Sequence, residues 1–172
     1  GADLDIDNND ALIQIDGLSN LTELGGYIGI VKNKSLENLD GLSGLPHING
    51  FLFLDTNDSL ENVNGLLNVS SVGGDVDVEY NPSLVHLDGF ANITSVGGTL
   101  FIVANASLAS IDGLSKLGHV SDDIDIESNK VLTNIDGLSS LHTINGSLRI
   151  AQNNALMNLD GLAGLIRVTH SY

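Results

Sequence analysis

Carboxylates dominate the chemistry this chain could do. Rows of alternating acids occur at Asp3, Asp5 and Asp7, at Asp75, Asp77 and Glu79, and at Asp123, Asp125 and Glu127. Calcium chelation and glycoside hydrolysis both use such residues. Calcium wants oxygens at about 2.4 Å, whereas strand residues two apart sit ~6.5 Å from each other. The rows therefore read as solvated acidic faces. A glycosidase pair needs carboxylates ~5–9 Å apart in unequal environments within a cleft, and a regular surface has many pairs and no cleft. The histidines, His47, His86, His119, His142 and His170, do not gather into a metal set. His47 and His119 share a repeat column but stand three coils, ~14 Å, apart. No serine has His and Asp at a recognisable triad spacing. The chain has no cysteine, hence no thiolate zinc site, thiol nucleophile or disulfide. No catalytic residue, metal or other cofactor is expected, and the chain is read as a non-enzyme.

Aromatic residues interleave with these acids. Tyr27, Phe51, Phe53 and Phe101 fall in the same repeat columns as Asp55, Asp75 and Asp77, in a chain that is only 4% aromatic and lacks tryptophan. Twenty-two acidic against six basic residues give a formal charge of −16. That charge excludes a basic stripe for nucleic acid and docking on an anionic membrane. No apolar run reaches the ~18 residues of a membrane span, so no membrane insertion is expected. The chain is nevertheless 42% hydrophobic with mean hydropathy +0.17, enough for a folded domain.

The element that positions these residues is a repeat. Asp-Gly or Asn-Gly recurs at 16–17, 40–41, 64–65, 88–89, 112–113, 136–137 and 160–161, always 24 residues apart. Asparagine keeps the same period from Asn9 to Asn153, and leucine from Leu12 to Leu156. Seven apolar columns in seven units make 49 positions, and all hold Leu, Ile, Val or Phe. Within a unit two apolar residues alternate first, as Ile28 and Ile30, which predicts a strand buried on one face. Spacings of three then follow (Leu36, Leu39, Leu42, Leu45, Ile48), broken by Asp-Gly. An amphipathic helix would mix threes and fours. The pattern predicts one all-β domain over 1–172, a β-helix-like solenoid of seven coils. The glycine after Asp marks a corner where a side chain would clash or φ is positive. The second Gly of the Gly-Gly pair, replaced by Asp122 in one unit, is read the same way. The Asn column is expected to form a ladder, and the corner Asp to accept backbone N–H bonds. Gly1-Ala2 falls in the Gly-Gly column and Tyr172 on a first-strand position. Both ends read as cuts through a longer repeat array, so end-to-end self-association of uncapped coils is expected.

The unit L-x-I-x-x-N-x-S-L-x-x-L-D-G-L-x-x-L-x-x-V-G-G, clearest at 100–118 and 76–98, resembles the receptor L-domain repeat of bacterial and archaeal surface proteins, kin to the leucine-rich repeats. The resemblance covers every unit. It implies a right-handed solenoid acting as an extracellular or cell-surface recognition module, without catalytic residues. A leucine-rich-repeat horseshoe with helical backs is the alternative fold.

The residues on the first strand between the buried ones are expected to face solvent. They define a candidate ligand-binding face of Tyr27, Phe51, Phe53, Asp55, Asp75, Asp77 and Phe101, for a protein or polysaccharide partner. Simple cross-strand packing of the rings is the competing reading. A structural spacer or stalk and, less well supported, a polysaccharide-active β-helix enzyme are the other functions open to such a chain.

Overall fold

The computed structural model describes residues 2–169; Gly1, His170 and Tyr172, each singled out above, lie outside the described residues. Each coil lays a four-residue strand beside that of the coil before. These strands are β1 (Leu4–Asp7), β2 (Ile28–Val31), β3 (Leu52–Asp55), β5 (Val76–Glu79), β7 (Leu100–Val103), β9 (Ile124–Glu127) and β11 (Leu148–Ala151). They form one seven-stranded parallel sheet in chain order. Every residue pairs with the one 24 positions on, as in Leu52↔Val76 and Asp77↔Phe101. The apolar alternation points one set of side chains inward and presents the other on the outer face.

A second parallel sheet was not foreseen from the spacing. It consists of two-residue strands, β4 (Ser71–Val72), β6 (Ser95–Val96), β8 (His119–Val120), β10 (Thr143–Ile144) and β12 (Arg167–Val168). Each contributes a single column apolar residue before the chain turns, too short a run for alternation to register. Asp-Gly or Asn-Gly opens the remaining side of each coil as a three-residue 3-10 turn, from η1 (Asp16–Leu18) to η7 (Asp160–Leu162). These turns are the longest helical pieces among the described residues, so the helical backs of a horseshoe are not there. The architecture is a repeat structure of stacked parallel strands without long helices, of the β-solenoid or β-helix kind.

In the five inner coils every position of the seven apolar columns is buried, from Ile28 to Ile144. In the outermost coils Leu4, Ile6, Leu148 and Ile150 are only half-buried, because each has a neighbour on one side. The asparagine ladder forms as expected. Asn57 Oδ1 accepts from the Asn33 N–H at 3.1 Å, and Asn81 Oδ1 from the Asn57 N–H at 3.0 Å. Each inner Nδ2 also donates to a carbonyl of the preceding coil, as Asn81 does to Leu54 O at 2.8 Å. A buried amide with donors and acceptor all used costs no desolvation penalty.

At the corner glycine the expected clash is present, whereas the left-handed alternative for the glycines and the capping role of the corner Asp are corrected. Among the described residues no glycine has positive φ. The corner glycine is required by crowding: a Cβ on Gly89 would run into the carbonyl oxygen of Val63 in the coil before. The second glycine of the pair is likewise a matter of space, since a Cβ on Gly74 would meet the Phe51 ring, and Asp122 too lies outside the left-handed region. The left-handed position falls instead on the residue before the ladder asparagine: Asn8, Lys32, Thr56, Tyr80, Ala104, Ser128 and Gln152, with φ between 50° and 60°. The corner Asp side chains are exposed and do not cap the turn. In five of the coils the residue two earlier does, as Asn38 Oδ1 accepts from Asp40 N–H at 3.1 Å and Asn134 Oδ1 from Asp136 N–H at 3.0 Å. A side chain two residues upstream reaches the free N–H in an Asx turn.

Candidate functional site

The outer face of the large sheet carries three parallel columns of side chains, each stepping by one strand. The central column runs Asp5, Gly29, Phe53, Asp77, Phe101, Asp125, Arg149. The column at the strand ends runs Asp7, Val31, Asp55, Glu79, Val103, Glu127, Ala151. The column just before the strands holds Asp3, Tyr27, Phe51, Asp75, Thr99, Asp123 and Ser147. All seven candidate residues therefore share one face on or beside four adjacent strands, β2, β3, β5 and β7.

The rings touch one another. Phe51 and Phe53, two residues apart at the start of β3, stack with centroids 5.5 Å apart and planes 24° from parallel. Tyr27 approaches Phe53 from the neighbouring coil at 6.5 Å, tilted by 57°. Gly29 opposes Phe53 and adds no side chain, so the ring cluster can close over it. Phe101 stands apart, two strands from Phe53, with Asp77 between them.

Solvent exposure is lower than alternation predicts. Of the seven residues only Phe51 is exposed, at 42%; Tyr27, Phe53, Asp55, Asp75, Asp77 and Phe101 are half-buried. Gly29 and Thr99, also expected outside, are buried. Strands ~4.8 Å apart press neighbouring side chains together, so a ring on one strand covers the residue opposite it.

The acids divide by environment. Asp75 is committed to structure: its Oδ1 accepts from Thr99 N–H at 2.8 Å, as Asp3 Oδ1 does from Tyr27 N–H at 3.0 Å. Asp55 accepts from the Thr56 hydroxyl at 2.7 Å. Asp77 is different. Its Oδ1 is buried and has no protein hydrogen-bond partner. Burial, then the charges of Glu79, Asp55 and Asp75, pushes its carboxyl up to about 7. Burial, then Asp55 and Asp125, also raises Glu79. Glu79 was not among the candidate residues, although its column, 24 residues from Asp55, could have placed it there.

At the far end of the same face a cation joins the acids. Arg149 Nη1 lies 3.2 Å from both carboxylate oxygens of Asp125 and also donates to Glu127. Away from this face, His119 sits between the hydroxyls of Thr143 and Ser121 at 3.3 Å each. Among the described residues no group of three or more His, Asp or Glu side chains is placed to hold a metal ion, and no pocket is present. Along β2, β3 and β5 the face sets an apolar ring cluster beside carboxylates that, among the described residues, have no cationic partner. No protein-family model, curated protein or solved structure matches the chain.

Proposed function

We propose that this chain is a non-enzymatic, extracellular or cell-surface recognition module, a right-handed L-domain-like solenoid that binds a protein or glycan through the outer face of its large sheet. The observation that carries the reading is the contiguous ring cluster of Tyr27, Phe51 and Phe53 beside Asp55, Asp77 and Glu79. Rings fill a partner's pockets, and surrounding charge sets the encounter rate and the salt dependence. At −16 overall, the long-range field favours a basic protein segment. The extracellular location rests on the repeat resemblance alone.

The test is the double substitution Phe51→Ser with Phe53→Ser, preceded by a protein and glycan array at fixed salt. The folded double variant should lose at least about tenfold in affinity for the array ligand, as expected for removal of ring anchors. Unchanged binding would show that the rings merely shield the sheet, which is the behaviour of a spacer.

A further inference from the structure

The repeat provides an internal comparison for Asp77 and Glu79. Their equivalents two coils on are Asp125 and Glu127, in the same columns and 48 residues later. There the next strand supplies Arg149, whose guanidinium engages both carboxylates. At the earlier pair the corresponding positions hold Phe101 and Val103. Among the described residues no ion pair reaches Asp77 or Glu79; the three present are Lys34 with Asp10 and Arg149 with Asp125 and Glu127. Asp55 adds a third carboxylate opposite Glu79.

From this juxtaposition we propose that Asp77 and Glu79, flanked by Phe53 and Phe101, form a subsite for an arginine side chain of a protein partner. The inference rests on the recognition reading above and names the residue that the face selects. Three features favour arginine. The same two-carboxylate arrangement already accepts a guanidinium within this molecule. The half-buried Asp77 carboxylate is not committed to a donor within the protein, as that of Asp75 is, and is left for a planar fork of N–H groups. Phe53 and Phe101 stand in register with Asp77 on either side, and a guanidinium packs against aromatic rings better than an ammonium does. The field of Asp55 and Asp75 attracts the same charge.

The probe is the peptide acetyl-Gly-Arg-Gly-amide, with lysine and citrulline counterparts, titrated into isotopically labelled protein at pH 8 and followed by NMR. Saturable shifts are expected at Phe53, Asp77, Glu79 and Phe101, absent with citrulline and at least about threefold weaker with lysine. Asp77→Asn should weaken the arginine peptide by about tenfold, as loss of a charge-assisted bidentate contact does. Asp5→Asn, which removes the same formal charge from the same face, should leave it unchanged. Phe101→Arg places a guanidinium where Arg149 stands relative to its own pair, and should exclude the peptide while the fold persists. Equal loss in Asp77→Asn and Asp5→Asn, or shifts scattered over the acidic surface, overturns the subsite. An array ligand weakened by the Phe51/Phe53 double substitution but indifferent to Asp77→Asn also overturns it and leaves the recognition reading standing. Arginine captured at Asp77 with array ligands indifferent to the double substitution does the reverse.

Discussion

Asp77 on β5 stands in register with Phe101 on β7, and its buried carboxylate oxygen has no protein donor. Folding therefore favours the protonated acid, whose carboxyl is raised to about 7 from an ordinary value of 3.8. Between those two values the native state holds a proton that the unfolded chain has released. Stability consequently falls as pH rises from about 4 to about 7, and the full penalty is present above that window. Replacing the acid by its neutral isostere, Asp77→Asn, removes the penalty. The variant should be more stable than the parent by on the order of 1–2 kcal/mol at pH 8, after discounting for screening of a half-exposed group, and about equal to it at pH 4. Denaturant unfolding at both pH values measures this; a variant less stable at pH 8 contradicts it.

The asparagine ladder should be costly to break in the middle and cheap at its end. Asn81 gives its Nδ2 to Leu54 and Glu79 and takes bonds from Asn57, all in a buried setting. Asn81→Ala leaves those groups unpaired and should cost about 2–4 kcal/mol. Asn9 is exposed, and among the described residues its side chain donates only to Asp7 O and Asn33 Oδ1. Asn9→Ala should cost less than about 1 kcal/mol. Equal losses would mean that the ladder is not cooperative with the core.

Gly17 and Gly89 occupy the same column and are indistinguishable in sequence. A Cβ on Gly89 meets backbone of the coil before, whereas one on Gly17 meets nothing within 4 Å. Neither has positive φ. Gly89→Ala should therefore destabilise by at least about 2 kcal/mol through overpacking against rigid backbone. Gly17→Ala should be neutral or stabilising by up to about 1 kcal/mol, because it restricts the unfolded chain. Thermal unfolding of the two variants side by side gives the answer.

Ala104 is held at φ 57°, a conformation that costs an L-residue about 1 kcal/mol or more. Ala104→Asn should raise stability by about 0.5–1 kcal/mol, since asparagine tolerates the left-handed region. A lower melting temperature in that variant would indicate that the Ala104 methyl makes a contact worth more than the backbone strain.

The coil, its 24-residue length, the inward columns and the asparagine ladder were all legible in the sequence. Each is written seven times, and one inward residue per two or three leaves few ways to wind the chain. The location of the candidate face was legible too, because Tyr27, Phe51, Phe53, Asp55, Asp75, Asp77 and Phe101 differ from the repeat where the repeat itself is indifferent. Only the stacked structure decided what each of them does. Asp75 and Asp77 look alike in the row, yet one accepts an N–H from the next coil and the other lies unpartnered between rings. The repeat specifies a residue's place in its own coil, but its environment is set by the residue 24 positions away, across a gap of one strand. Whether a glycine is needed for space or for φ, and whether an acid meets a ring, a hydroxyl or an arginine, is therefore decided between coils.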